Sequence, residues 1–131
     1  MTVAQLIFLL IAGLIAFAML RPLLFGGPRI TALQAAAEIE AGRAVLVDVR
    51  TPDEWRGGVA GPAALLPLGD LRGARRQWAP FLAEHKDKTL ILYCASGMRS
   101  GVAAGLLKKE GYRVANLGAF TRWGQAGLPV K

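Results

Sequence analysis

Residues 89–100 read TLILYCASGMRS, an apolar run followed by a turn of small residues and the start of a helical pattern. The apolar part, 89–93, predicts a strand that is buried on both faces of a sheet. Residues 99–110 predict a helix that ends at Gly111. The apolar stripe expected on this helix consists of Val102, Ala103, Leu106 and Leu107. Such a strand–turn–helix unit is typical of parallel α/β sheets.

The sequence on either side of this unit continues to alternate between helix and strand patterns. Thr31 and Gln34 have the spacing of a capping box, and residues 32–41 are strong helix formers. Further strands are predicted over 44–49, 64–68 and 113–117, and short helices over 70–77 and 79–85, around Pro80. This alternation predicts an α/β fold with a parallel sheet, whose active site lies beyond the carboxyl ends of the strands.

The apolar residues are concentrated at the N-terminus of the chain. Hydrophobic residues make up 53% of the 131 residues, and no charged side chain precedes Arg21. As a helix, residues 3–20 would rise about 27 Å, close to the roughly 30 Å of a bilayer core. We therefore predict a transmembrane anchor over 1–21, a linker over 22–29 whose Pro and Gly residues end the helix, and one globular domain over 30–131.

A cleaved secretory signal is the alternative for this segment, because residues 16–18, Ala-Phe-Ala, resemble a cleavage site. The absence of Lys or Arg before the apolar run, and the length of that run, favour an uncleaved anchor. Arg21, Arg29 and Arg43 follow the segment, so the positive-inside rule places the domain in the cytoplasm. We expect a single-pass protein of a bacterial-type inner (cell) membrane, in contact with the lipid bilayer through residues 3–20.

The composition excludes several classes of site. A single cysteine, Cys94, rules out an internal disulfide framework and a multi-cysteine metal site, and His85 is the one histidine. We therefore expect no metal and no cofactor. The net charge is +7, and Arg72, Arg75 and Arg76 form a basic cluster. Without a recognition motif, this charge favours solvation or contact with anionic lipid over nucleic acid, so we expect no nucleic-acid partner.

The turn after the strand has the features of an anion-binding loop. Small residues at 95–97 allow the backbone to curl so that N–H groups point inward, and the following helix adds its positive end. This field should lower the pKa of Cys94, and Arg99 supplies a permanent cation. The candidate nucleophile is Cys94, and the candidate substrate-binding residues are Ala95, Ser96, Gly97, Met98, Arg99 and Ser100. The alternative is a buried structural cysteine at a strand end.

Two signatures in the chain resemble those of one family. The loop Cys94-x-Ser96-Gly97-x-Arg99-Ser100 and the upstream segment 47–55, VDVRTPDEW, are similar to the signatures of the rhodanese (sulfurtransferase) domain. The resemblance covers about residues 30–130. It implies a five-stranded parallel sheet with helices on both faces, and a persulfide carried on Cys94.

The sequence departs from the family pattern at three places. Residues 58–61, Gly-Val-Ala-Gly, lack a histidine that the family often has there, and Gly118-Ala119 replaces a frequent Gly-Gly. Ala95 stands where some members have arginine, which removes one cation from the loop. The last change should make the pocket less selective for a doubly charged donor.

The main functional hypothesis is a sulfurtransferase. It would move sulfane sulfur from a thiosulfate- or persulfide-type donor through a Cys94 persulfide to an external thiol, a protein thiol or cyanide. One alternative is a membrane-tethered sulfur-carrier or protein-binding module with little turnover on small molecules. Another is a cysteine phosphatase, but those enzymes place five residues between Cys and Arg, and here four separate Cys94 from Arg99.

Charged residues upstream of the loop offer a structural as well as a functional interpretation. Asp48, at the end of the first predicted strand, and Arg50 and Glu54, just after it, could pair near the site. An ion-pair network beneath the loop is the interpretation that we favour for them. His85, between Glu84 and Lys86, is expected to be a solvated surface residue.

Overall fold

The computed structural model of the chain describes residues 1–25 and 27–131. Within these residues, four strands form one parallel sheet in the order β2-β1-β3-β4, and seven helices accompany it. The elements are α1 (Val3–Phe25), α2 (Ala32–Glu40), β1 (Ala44–Asp48), α3 (Pro52–Trp55), β2 (Ala64–Leu65), α4 (Leu68–Leu71), α5 (Trp78–Glu84), β3 (Thr89–Cys94), α6 (Met98–Lys109), β4 (Val114–Ala119) and α7 (Thr121–Gln125). The α/β class predicted from the sequence is confirmed.

The two central strands, β1 and β3, are apolar along their length because both faces of the sheet are covered. Leu46 and Ile91 belong to the core on one face, and Val47 and Leu92 belong to the core on the other. All four side chains are essentially inaccessible to solvent. Side chains alternate between the two faces of a strand, so a continuous apolar run serves both cores.

Helices pack on both faces of the sheet, as the family resemblance implied. Trp78 of α5 and Leu107 of α6 are buried in the first core, while Ala35 of α2 and Trp123 of α7 are buried in the second. Each tryptophan also has a partner for its ring N–H. Trp78 Nε1 donates to the Pro67 carbonyl at 3.1 Å, and Trp123 Nε1 donates to that of Pro129 at 2.7 Å.

The prediction of a fifth strand is wrong, because the described part of the chain forms a sheet of four strands. At the place next to β4, a single parallel bridge joins Arg29 to Asn116. The Ile30 N–H donates to the Asn116 carbonyl at 3.2 Å, and the Asn116 N–H donates to the Pro28 carbonyl at 2.8 Å. Pro28 has no N–H to extend this pairing, and Thr31 already caps α2. The edge is therefore too short to be a strand.

The prediction of a helix over 70–77 is also wrong, and the cause is the side chain of Asp70. Helix α4 ends at Leu71, and the Asp70 carboxylate accepts the backbone N–H groups of Arg76, Gln77 and Trp78 at 2.9, 3.0 and 2.9 Å. These bonds hold residues 72–77 as a turn that leads into α5. The helix predicted over 79–85 is confirmed as α5.

Helix α6 has the predicted position but a different buried face. It buries Ala103 and Leu107 of the expected stripe, together with Ala104 and Gly105. Val102 is 44% exposed, because the helix packs through its small residues rather than through that side chain. The N-terminus of α6 directly follows the turn after β3 in the chain.

Helix α1 contains an 18-residue stretch, Val3–Leu20, that is long and apolar enough to cross a membrane, and a signal sequence has the same properties. The side chains of residues 3–20 are exposed on every side. The helix continues past Pro22 to Phe25, because a proline within a helix removes one hydrogen bond without always ending it. Residues 22–25 of the predicted linker are thus helical, and Gly26 lies outside the described residues.

Candidate active site

Cys94 is the last residue of β3, at the carboxyl edge of the sheet between β1 and β4. Its carbonyl accepts the Phe120 N–H at 2.8 Å, which fixes the strand end against the residue after β4. Residues 95–97 form a tight turn, and α6 begins at Met98. We refer to Cys94–Ser100 as the cysteine loop. The chain order β1, β2, β3 changes direction across the sheet here, the usual place for a ligand site in such folds.

The backbone of the cysteine loop turns toward the sulfur. The Gly97 N–H donates to the Cys94 Sγ at 3.0 Å, and Gly97 has a φ of 98°. A Cβ at this position would lie 3.2 Å from the Cα of Gly118 in β4. The left-handed φ and the close backbone contact both require glycine. As the sequence predicted, at least one inward-facing amide of the loop meets the sulfur.

Ser100 adds a side-chain donor from the first turn of α6. Its Oγ is buried and lies 3.5 Å from the Cys94 Sγ. The same hydroxyl lies 3.2 Å from the Gly97 carbonyl oxygen. Since a serine has one hydroxyl proton, it can serve either acceptor, and a negatively charged sulfur is the stronger one. Ser100 is therefore placed to stabilise a thiolate.

These contacts lower the pKa of the Cys94 thiol. Burial by itself raises that pKa, but hydrogen bonds from the Ser100 hydroxyl and from the backbone N–H groups of Ser100, Gly97 and Ser96 outweigh it. The thiolate is the nucleophilic form of cysteine, so a lowered pKa increases the reactive fraction at neutral pH. A merely structural buried cysteine would have a raised pKa instead.

Arg99 is bound by a glutamate rather than left free over the loop. Its Nη1 and Nη2 atoms lie 2.6 and 2.8 Å from the two carboxylate oxygens of Glu54. The hydrogen bonds from Arg99, with smaller ones from Thr51, hold the pKa of Glu54 at about 2. The pKa of Arg99 is raised, first by Glu54 and to a lesser degree by the nearby Cys94. The ion pair fixes the guanidinium beside the loop.

A second ion pair lies deeper, as the interpretation of a supporting network expected. Arg50 Nη2 lies 2.8 Å from Asp48 Oδ2, and both residues are buried. The same nitrogen donates to the Gly58 carbonyl at 2.7 Å, and the guanidinium carbon lies 4.4 Å from the centre of the Phe120 ring. Hydrogen bonds and the aromatic face compensate the buried charges. This pair connects segment 58–61, where the family histidine is missing, to the sheet.

The residues of the cysteine loop differ in exposure. Cys94 and Ser100 are buried, Gly97 and Arg99 are half-buried, and Ala95 and Ser96 are exposed. Met98 is 76% exposed and stands at the outer surface of the loop. The sulfur is thus covered by its own loop, and the outer surface of the loop consists of the residues at 95, 96 and 98.

Glu54 was predicted to belong to a supporting ion-pair network, but its contact with Arg99 was not predicted. The available signal was the spacing of Thr51 and Glu54, which form a capping box at the start of α3. That spacing predicts a local role only, whereas the contact to Arg99 spans 45 positions in the chain. Among residues 1–25 and 27–131, no group of three or more His, Cys, Asp or Glu side chains is placed to hold a metal ion.

Known proteins with similar sequences belong to one family. The family model of the rhodanese-like domain matches residues 31–126. The chain belongs to the rhodanese family. It is 40% identical over 88 residues to a sulfurtransferase of Allochromatium vinosum, an alignment that covers 66% of this chain and 77% of that protein.

Solved rhodanese structures have the same fold. A rhodanese-related protein from Thermoplasma volcanium superimposes with a TM-score of 0.66 and 28% identity over 79% of this chain and 97% of the other. The human single-domain sulfurtransferase superimposes with a TM-score of 0.63 and 28% identity over 76% and 97% of the two chains. The family resemblance predicted from the two sequence signatures is confirmed.

Proposed function

We propose that this rhodanese is a sulfurtransferase that moves sulfane sulfur from a thiosulfate- or persulfide-type donor through a Cys94 persulfide to an external thiol or cyanide. The observation that carries this proposal is the Cys94 Sγ, which receives the Gly97 N–H at 3.0 Å and has Ser100 Oγ at 3.5 Å. Together these donors lower the pKa of the thiol. The family membership and the named sulfurtransferase relative support the same chemistry.

The first half-reaction is an attack by the Cys94 thiolate on the outer sulfur of the donor. With thiosulfate, a new S–S bond forms to Cys94, the S–S bond of thiosulfate breaks, and sulfite leaves with the electron pair. No external oxidant is consumed. The N–H of Gly97 and the hydroxyl of Ser100 hold the attacking anion and remain in place to stabilise the persulfide.

The second half-reaction returns Cys94 to its starting state. An acceptor thiolate attacks the outer sulfur of the persulfide, and the Cys94 sulfur leaves as a thiolate. Cys94 is the single cysteine of the sequence, so no internal thiol can resolve the persulfide. The acceptor must therefore come from another molecule, either a small thiol, a protein thiol or cyanide.

Mass spectrometry of the full chain tests this proposal. After incubation with thiosulfate or with a persulfide donor, Cys94 should gain one sulfur atom, and the gain should be lost on adding cyanide. Cys94→Ser should gain nothing, whereas Thr121→Ala, which changes an exposed hydroxyl outside the cysteine loop, should gain as much as the wild type. If the wild type gains no sulfur from any of these donors, the proposal fails.

A sulfur-carrier or protein-binding module is the second candidate, and one observation favours it. Cys94 is buried, while the apolar Met98 beside it is 76% exposed, as at a surface that a partner protein covers. On this alternative, the Cys94 persulfide would discharge slowly to cyanide and small thiols and rapidly to one protein thiol. Comparable turnover on small acceptors would exclude it.

For the N-terminal segment we propose a retained anchor in a bacterial-type inner membrane, with the domain on the cytoplasmic side. The fully exposed apolar stretch Val3–Leu20 and the arginines at 21, 29 and 43 support this arrangement. Protease added to intact spheroplasts should leave the domain uncut, and protease added to inverted vesicles should cut it. A mature protein whose mass lacks the first residues would show a cleaved signal instead.

A further inference from the structure

A cavity of about 280 Å³ opens beside the cysteine loop on the side of β1 and α4. Its walls include the apolar side chains Val49, Pro67 and Leu68 and the polar residues Thr51, Arg72 and Arg99. Val49 and Leu68 pack in the same core cluster as Cys94, and Arg99 belongs to the cysteine loop, so the cavity lies beside that loop. Its volume lies just below that of sites for drug-sized ligands, which begin at about 300 Å³.

The two arginines of the cavity differ in their partners. Arg99 is neutralised by the paired contacts to Glu54 at 2.6 and 2.8 Å. Arg72, at the end of α4, forms neither a hydrogen bond nor an ion pair through its side chain with any residue in 1–25 or 27–131. Arg72 is exposed and lines the cavity, so the apolar walls adjoin one cation that has no partner among the described residues. Such a pocket favours a small ligand with a short apolar body and one anionic end.

We propose that Arg72 is a specificity-determining residue for the sulfur acceptor, and that it binds the carboxylate of a small thiol in this cavity. The inference rests on the proposed sulfurtransferase function. A proton from solvent neutralises the Cys94 persulfide, and the bound acceptor's thiolate then attacks its outer sulfur. An S–S bond forms to the acceptor, the S–S bond to Cys94 breaks, and Cys94 leaves as a thiolate, so atoms and charge balance.

The donor does not need this cavity. Thiosulfate is a compact dianion whose outer sulfur must reach Cys94, where the N–H of Gly97 already points. An acceptor thiol that is also held by a part of the molecule that does not react has a higher local concentration at the sulfur. Arg72 thus distinguishes acceptors by charge without taking part in formation of the persulfide.

The test separates the two half-reactions in single-turnover experiments on the full chain in non-ionic detergent. Cys94 is first loaded with thiosulfate, excess donor is removed, and loss of the persulfide is followed with 3-mercaptopropionate, which carries a carboxylate, or with neutral 2-mercaptoethanol. Arg72→Met should lower the rate constant for 3-mercaptopropionate about 5- to 10-fold, the effect of one charge-assisted contact in a half-open site. Arg72→Met should leave the rate constant for 2-mercaptoethanol and the rate constant of the loading step unchanged.

Arg76→Met is the matched control, because Arg76 belongs to the same basic cluster, is exposed and does not line the cavity. Arg76→Met removes the same charge and should leave the rate constants for both thiols unchanged. Arg72→Lys should restore part of the preference for the thiol that carries a carboxylate. Equal losses in Arg72→Met and Arg76→Met, or equal losses for both thiols, would overturn the inference. A loss confined to loading would assign the cavity to the donor and overturn it as well. A wild type that never forms the persulfide would instead remove the proposed function, and this inference with it.

Discussion

Removing the Ser100 hydroxyl should raise the pKa of Cys94, because the thiolate loses one of its hydrogen-bond donors. A hydrogen bond to a charged group contributes roughly 1.5–3 kcal/mol to the stability of that group. The lower end applies here, because the Oγ–Sγ distance is 3.5 Å and the hydroxyl also has the Gly97 carbonyl as an acceptor. The backbone donors remain in Ser100→Ala, so only the contribution of the hydroxyl is lost.

The assay is the pH dependence of alkylation of the full chain by iodoacetamide, followed by mass spectrometry. Cys94 is the only cysteine, so one thiol determines the profile. The midpoint should move to higher pH in Ser100→Ala and stay in place in Ser96→Ala, whose hydroxyl accepts the Met98 N–H instead of contacting the sulfur. An unchanged midpoint in Ser100→Ala, or an equal shift in Ser96→Ala, would refute the assignment of Ser100 as a thiolate donor.

Two further predictions concern the free energy of unfolding of the full chain in detergent. Gly42→Ala should cost about 1–2 kcal/mol, because Gly42 has a φ of 75° with open space around it. Gly97→Ala should lower the free energy of unfolding by at least about 1 kcal/mol more than Gly42→Ala, because its Cβ would also lie 3.2 Å from a backbone atom of β4. Equal losses in the two variants would disprove this close contact. Glu54→Gln should destabilise the protein by about 1 kcal/mol at neutral pH, as expected for a partly exposed ion pair with Arg99. The folded-state pKa of Glu54, about 2, lies below its ordinary value of 4.5, so this stabilisation is complete above pH 4.5 and is lost as the pH falls toward 2. A difference between wild type and Glu54→Gln that stays constant over this range would contradict the assignment.

The sequence was sufficient to predict those parts of the fold whose causes are local. The buried strands at 44–49 and 89–93 follow from continuous apolar runs, and the start of α2 follows from the capping box of Thr31 and Gln34. The cysteine loop could be predicted because its small residues and Gly97 serve the backbone path itself. In each case the residues that determine the element lie within it.

Features that depend on distant residues escaped prediction. The Asp70 carboxylate collects N–H groups six to eight positions further along the chain, so a stretch with helical composition becomes a turn. The ion pair between Arg99 and Glu54 depends on how the cysteine loop and α3 are placed together. The position of Arg72 beside the same loop likewise depends on the placement of α4. The fifth strand was inferred from the family and not from a pattern in residues 28–30, where one bridge is all that forms.

The contact between Gly97 and Gly118 has an evolutionary consequence. A Cβ on Gly97 would lie 3.2 Å from the Cα of Gly118, so position 97 can accept a larger residue only if the backbone of β4 moves. A Cβ on Gly118 would lie 3.7 Å from its nearest neighbours, the side chains of Arg122 and Arg29, so position 118 is restricted by its φ of 91° instead. Position 97 should therefore stay glycine across descendants of this protein.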